Sequence, residues 1–266
     1  MIKVAAVIGS PRNNGETYKN VQKFELRLKK LDENIDFSYI FLKDAHIEQC
    51  KGCGVCLAKG EEYCPIKDDD KNDILRRIME SDGIIFGVPV YSLHVPALTK
   101  NLLDRFAYIL HRPCFFHKSF MSIAVQGVYG DKNVIKYLEE FATFSGFKVC
   151  RGFGITNTIF SEEMKKNDKL IEENAKRFYQ HLMSPTPSPG IYQLMMFRWI
   201  RSSKPYIAED CPKDYQYFKE KGWLESPYFY DIELNLIKKI IGAWADRQGM
   251  KLGEKIKKQR MIKVAP

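Results

Sequence analysis

IKVAAVIGSPRNNGET, residues 2–17, sets a near-continuous apolar run against a loop of Gly, Ser, Asn and Thr, after which a helix-period segment begins. An apolar run without polar alternation fits a strand buried on both faces, the situation in a parallel sheet covered by helices on each side. GIIFGVPV, residues 83–90, has the same character. Around these two runs the sequence predicts strands at 2–9, 35–42, 83–90, 119–126 and 147–155. Helices are predicted at 15–31, 71–81, 96–111, 131–145 and 161–183. Strand and helix alternate, so the fold expected is α/β: a doubly wound five-stranded parallel sheet of order 2-1-3-4-5.

SPTPSPG, residues 184–190, cannot be helix or central strand and marks a boundary. Two domains are therefore expected, 1–183 with a cysteine-rich loop at 50–64, and 184–266 as a mostly helical extension. In that extension Ile232, Leu236, Ile237, Ile240, Ile241 and Trp244 recur at helical spacing and form an amphipathic helix. The extension is expected to pack on its own domain or on a neighbouring subunit. Membrane-surface binding through Met195, Met196, Phe197 and Trp199 is the alternative.

The 266 residues carry a net charge of +9 and 45% hydrophobic residues. The lysines are scattered instead of forming an aromatic-interleaved stripe, so the charge suits anionic cofactors and no nucleic-acid partner is expected. KIKKQRMIK, residues 255–263, reads as a solvated helix end or frayed tail. The opening residues lack the features of a secretory signal and no stretch is long and apolar enough to span a membrane, so the expected location is cytoplasmic.

The loop GSPRNNGET, residues 9–17, can aim backbone N–H groups, hydroxyls and a helix N-terminus at an anion, with Arg12 adding a charged contact. It matches neither the Walker pattern nor G-x-G-x-x-G. An ordinary turn capped by Thr17 or Asn14 is the competing reading. Strand 3 exits through Pro89, Val90, Tyr91, Ser92 and His94, and strand 4 through QGVYGD, residues 126–131. In a sheet of order 2-1-3-4-5 a ligand sits outside the carboxyl ends of strands 1 and 3. These loops therefore converge on one ligand, with a phosphate at 9–17 and a flat ring edged by 89–94. Gly127 and Gly130 allow close backbone approach from the other side, and Tyr129 either stacks there or is an exposed loop tyrosine.

CKGCGVCLAKGEEYC, residues 50–64, places Cys50, Cys53, Cys56 and Cys64 at C-x2-C-x2-C-x7-C spacing. Overlapping C-x-x-C units wrap a short segment round three corners of an iron-sulfur cube, with a more distant cysteine closing the fourth. Zinc and redox-active thiols are the alternatives; a disulfide is disfavoured in a reducing compartment. Cys114, Cys150 and Cys211 read as small buried hydrophobes. Asp68, Asp69 and Asp70 read as caps of the helix that follows. His94, His111 and His117 are not spaced as a metal set, and no Ser-His-Asp arrangement is visible.

GSPRNNGET, the PVY turn followed by Lys100 and the Asp104-Arg105 pair, and the cysteine segment running into Asp68 and Asp69 resemble the flavodoxin-like NAD(P)H-dependent FMN reductases, in particular the iron-sulfur flavoproteins. The likeness covers about residues 1–180. It implies an FMN held by the loops at 9–17, 88–94 and 126–130, with Ser10, Arg12, Asn14 and Thr17 on the phosphate. Pro89, Val90, Tyr91 and Ser92 would border the isoalloxazine ring, with Gly127, Tyr129 and Gly130 across from them. It also implies one [4Fe–4S] cluster on Cys50, Cys53, Cys56 and Cys64, NADH or NADPH as co-substrate, and a homodimer or homotetramer. The activity expected is hydride uptake from NAD(P)H by a flavin oxidoreductase, with electrons passed through the cluster to an acceptor. A cluster-free reductase of quinones, nitro compounds or flavin is the alternative, as is a flavodoxin-like electron carrier. Catalysis then resides on FMN, and no protein acid, base or nucleophile is required.

Overall fold

The computed structural model describes residues 1–264 and resolves the chain into two units, 1–51 with 66–186 and 52–65 with 187–266. In the first, strands β1 (Ile2–Ile8), β2 (Ile35–Phe41), β3 (Gly83–Pro89) and β4 (Ser119–Gln126) are joined by β5 (Lys148–Val149) and β6 (Phe153–Thr156). All pairings are parallel and the order is β2-β1-β3-β4-β5, with β6 also on β4. The expected doubly wound sheet is therefore present.

The fifth strand differs from the run expected at 147–155. Phe120 pairs with Val149 and Ile123 with Phe153, so three residues of the fifth strand oppose two of β4. This is a bulge. A Cβ on Gly152 would lie 2.6 Å from the Ser122 carbonyl oxygen, so the bulged strand approaches β4 closely where it has no side chain.

Helices α1 (Glu16–Leu31) and α6 (Ser161–Met183) cover one sheet face, where Val21, Phe24 and Leu28 meet Ile171, Ala175 and Phe178 over Val4, Ala6, Ile85 and Ile123. Each of the Val, Leu, Ile and Phe side chains contributes about 1.5–3 kcal/mol on burial, which makes the sheet a firm platform for its loops. Phe86, Phe120 and Phe147 interlock in the first unit's core with ring centroids 5.3 and 5.4 Å apart. Helices α2 (Val55–Ala58), α3 (Lys71–Met79), α4 (Ala97–Arg105) and α5 (Asp131–Phe144) complete the connections.

The second unit holds α7 (Ile191–Ser203), α8 (Pro212–Glu220) and α9 (Leu236–Val264). Phe197, Phe218, Trp223, Tyr228 and Phe229 form its aromatic core. Asp246 of α9 accepts from Arg198 and Arg201 of α7, and a buried Lys204–Asp214 pair, 3.1 Å, ties α7's end to α8. The cysteine segment 52–65, expected with the first domain, groups with this unit because α2 packs on α8 and Lys213 pairs with Glu62 at 3.0 Å.

Two expectations for the extension change. Phe197 is buried in the aromatic core, so 195–199 is not an exposed apolar stripe. The helix forms from Leu236 on, so Ile232 precedes it; its small residues Ala245, Gly249 and Gly253 are buried, Leu236, Ile237, Ile240 and Trp244 face outward, and Ile241 is half-buried. The basic run 255–263 lies within α9; its side chains from residue 260 on fall outside the described ones. Among the described residues no helix is long and apolar enough to cross a membrane.

Candidate flavin site

Parallel strands deliver their loops to one edge, and three of those loops meet. At the end of β1 the Gly9 N–H donates to the Gly87 carbonyl at 2.9 Å. A Cβ on Gly9 would lie 2.1 Å from Thr99 Oγ1 of α4 and 3.0 Å from Val88 Cγ1, so only glycine lets β1, β3 and α4 close up here. Gly87 serves the same end in β3, where a Cβ would meet Val21 Cγ2 of α1 at 2.6 Å.

Ser10 is buried and its Oγ accepts from the Arg12 N–H at 3.2 Å, while Arg12 and Asn14 are exposed and Thr17 is buried. α1 starts after Gly15 in extended conformation, and this N-cap residue makes no side-chain cap bond. The N-cap position falls on Gly15 and on neither Thr17 nor Asn14, so the capped-turn reading fails and no N-cap side chain satisfies the first N–H groups of α1. Glu16 in that first turn opposes an anion, but Lys19 pairs with it at 2.8 Å.

At the end of β3 the Val90 N–H donates to Val125 at 2.8 Å. Tyr91 and His94 then exchange two backbone hydrogen bonds, each 3.0 Å, around Ser92 and Leu93 at φ of 49° and 65°. Two successive positive φ values define a type I′ turn, which favours Asn-Gly; Ser-Leu adopts it only with strain. The turn is held from the side. A Cβ on Gly130, at φ 112°, would lie 2.8 Å from Val90 Cγ1 and 3.2 Å from Leu93 Cα. The β4 loop thus rests directly on the β3 turn. Gly127 has open space around it, and Tyr129 is exposed. Gln126 anchors the loop by accepting from the Asp131 N–H at 2.9 Å and donating to Thr156 at 3.2 Å.

His94 packs on Tyr137 of α5 with ring centroids 4.6 Å apart and the rings tilted by 55°, and burial pushes the Tyr137 phenol up. Lys100 pairs with Asp104, whose carboxylate pushes the Lys100 ammonium up. Gly9, Leu93, Thr99 and Tyr137 were not singled out in the sequence. Gly9 carried a signal, a glycine ending a buried strand; Leu93 carried none, because leucine does not announce a left-handed backbone.

The chain entering the cysteine segment is fixed in the first unit. Asp70 Oδ2 accepts from the His46 N–H at 2.7 Å, the Asp70 N–H donates to His46 at 2.8 Å, and Asn101 donates to Ile47 at 2.6 Å. Asp69 pairs with Arg105 at 2.9 and 3.0 Å, both side chains buried. Asp70 takes the N-cap position of α3 but makes no side-chain cap bond, contrary to the capping role expected from sequence; the Asp69 and Asp70 side chains are committed to long-range contacts instead, and Asp68 is exposed.

Cys50 and Cys53 are exposed, and Cys56 and Cys64 half-buried. Gly52 and Gly54 have φ of 63° and 69° with open space where a Cβ would stand. Among the described residues no three His, Cys, Asp or Glu side chains come close enough to share a metal ion. Four thiols within fifteen residues, with two left-handed glycines between them, still suit a thiolate-bound centre chemically. Ligands of that kind assemble on the metal, because thiolates gathered without it repel and must be desolvated.

The family model for NADPH-dependent FMN reductases matches residues 2–158. An Archaeoglobus fulgidus protein named iron-sulfur flavoprotein is 30% identical over 84% of this chain and 100% of its own length. A Clostridioides difficile protein of the same name is 27% identical over 78% of this chain and 92% of that one. Among solved structures, an apo NADH:FMN oxidoreductase shares the fold at a TM-score of 0.52 and 18% identity, over 70% of this chain and 92% of that one.

Proposed function

Because this chain belongs to the NADPH-dependent FMN reductase family, we propose that it oxidises NAD(P)H on an FMN held at the edge of its sheet and passes the electrons to an acceptor through a [4Fe–4S] cluster. FMN, when bound, supplies hydride acceptance and stepwise electron release, and the cluster supplies one-electron transfer.

The chain's own residues bind, orient and shield. Ser10, Arg12, Asn14 and Thr17 would hold the phosphate, Arg12 by charge and the first turn of α1 by its N–H groups. Pro89, Val90, Tyr91 and Ser92 would border the ring along the strained turn, and Gly127, Tyr129 and Gly130 would close the opposite side. Cys50, Cys53, Cys56 and Cys64 would hold the cluster. The observation that carries the reading is the convergence of three loops, Gly9 on Gly87, Val90 on Val125, and Gly130 against Val90 and Leu93.

The test is anaerobic titration of the FMN-loaded chain with NADPH and NADH, followed in the flavin band. Bleaching by either is expected; no bleaching by both contradicts the proposal. Arg12→Ala removes a charge-assisted contact worth about 1.5–3 kcal/mol, so FMN should bind tenfold or more weakly. A second reading is a cluster-free reductase with the same flavin site, in which the four cysteines are structural; iron and sulfide analysis separates the two. The relatives named iron-sulfur flavoproteins favour the first. A homodimer or homotetramer goes with either and is checked by light scattering.

A further inference from the structure

The first turns of α9 carry an apolar patch that the flavin chemistry does not use. Leu236, Ile237, Ile240 and Trp244 lie on one helix face and are 73, 66, 62 and 51% exposed. The opposite face of α9 is the one pressed onto α7. A Cβ on Gly249 would lie 3.1 Å from the Trp199 carbonyl carbon of α7, and one on Gly253 would lie 2.5 Å from Tyr206 Cδ2 in the turn that follows α7. Ala245, 1% exposed, sits on that same packed face. The helix therefore cannot turn its apolar stripe inward without driving larger side chains into α7.

The exposed face changes character along its length. Past Trp244 it continues with Arg247, Lys251, Lys255 and Lys258, all exposed and at spacings of three and four residues. Ile191 and Tyr192, 49 and 62% exposed, stand at the same end as the apolar patch. Lys238 places them there by donating to Ser188 at 2.8 Å, and Tyr230 by donating to Pro187 at 3.0 Å.

We propose that this face of α9 docks the protein on an anionic lipid surface, with the apolar first turns in the headgroup boundary and the basic stripe on the phosphates. An interfacial helix needs that combination of Trp, Leu and Ile with Lys and Arg on an accessible face. A second copy of the chain is a poor occupant. Antiparallel pairing sets Lys251, Lys255 and Lys258 over the other copy's apolar turns, and parallel pairing stacks like charges. The carboxylates nearby are few: Glu254 on the exposed face, and Asp231 and Glu233 ahead of the helix. Asp246 is taken by Arg198 and Arg201. The helix lies on the surface and does not span it.

The test is co-sedimentation of the full-length, FMN-loaded protein with vesicles of phosphatidylcholine alone and of phosphatidylcholine with phosphatidylglycerol. Binding to the anionic vesicles, little to the neutral ones, and weakening with salt are expected. Each lysine at such a surface is worth about fivefold in partitioning, so Lys251→Glu with Lys255→Glu should lower binding more than about 25-fold. Ile240→Asp should abolish it while FMN content stays unchanged. Should that variant misfold, Trp emission keeps the idea falsifiable: vesicles should shift it to the blue in the wild type and not in Trp244→Phe. Absence of binding, equal binding to both vesicle types, or wild-type binding by the charge-reversed variant overturns the proposal. Capture on immobilised polyglutamate that Ile240→Asp leaves intact would assign the face to an acidic protein and overturn it as well.

Discussion

Replacing Gly9 by Ala tests the geometry of the flavin edge at its tightest point. The added Cβ would stand 2.1 Å from Thr99 Oγ1 and 3.0 Å from Val88 Cγ1. Thr99 is fully buried, so its hydroxyl cannot swing into solvent. Overpacking of this kind costs about 1–3 kcal/mol. Among the described residues Thr99 Oγ1 has no hydrogen-bond partner, so Thr99→Ala removes an obstacle together with an unsatisfied buried hydroxyl. Alone it should be nearly neutral or stabilising, since such a group costs about 1–3 kcal/mol. The double variant should then recover most of what Gly9→Ala loses, a coupling of about 1–2 kcal/mol for residues in contact. Urea unfolding of the four proteins measures the cycle, and flavin-fluorescence quenching measures FMN affinity, which should fall and recover in parallel. Additive effects, or a Gly9→Ala protein as stable as wild type, would refute the close approach of β1, β3 and α4.

Arg105→Met leaves the buried Asp69 carboxylate without its guanidinium and should cost about 3–5 kcal/mol in chemical denaturation. Ser92→Asn with Leu93→Gly supplies the residue pair that a type I′ turn prefers, so the melting transition should rise by the equivalent of about 1 kcal/mol or more. For His181, burial first, then Lys148 and Arg177, lowers the imidazole to about 4 from 6.5. The unfolded chain then binds the extra proton first, so stability is whole above about pH 6.5 and declines as pH falls towards 4. His181→Gln should flatten that decline in pH-dependent thermal melts, and an unchanged slope would remove His181 as its source.

The sheet was legible because its strands are buried on both faces and announce themselves as apolar runs. The convergence of the 9–17, 88–94 and 126–130 loops was legible too, since a parallel sheet sends those loops to one edge. The contacts that tighten that edge were not. Nothing local in Ser92-Leu93 signals a left-handed turn, and the commitment of Asp69 to Arg105 joins residues far apart in sequence. The bulge at 150–152 had only Gly152 as a trace. In α9 the large apolar residues dominated the periodicity, whereas packing against α7 and the turn after it went to Gly249, Gly253 and Ala245. Small residues decide helix contact by what they omit, and a reading weighted by hydrophobicity passes over them.

The most direct test of the account is the cofactor content of the full-length protein purified under strict anaerobiosis, with flavin, iron, acid-labile sulfide and zinc measured together. About one FMN per chain and about four iron and four sulfide are expected, as a single [4Fe–4S] centre requires, with the iron and sulfide lost in Cys53→Ser and the flavin retained. Zinc in place of iron, or iron that survives the loss of Cys53, would contradict the cluster; a chain that takes up no FMN would contradict the whole.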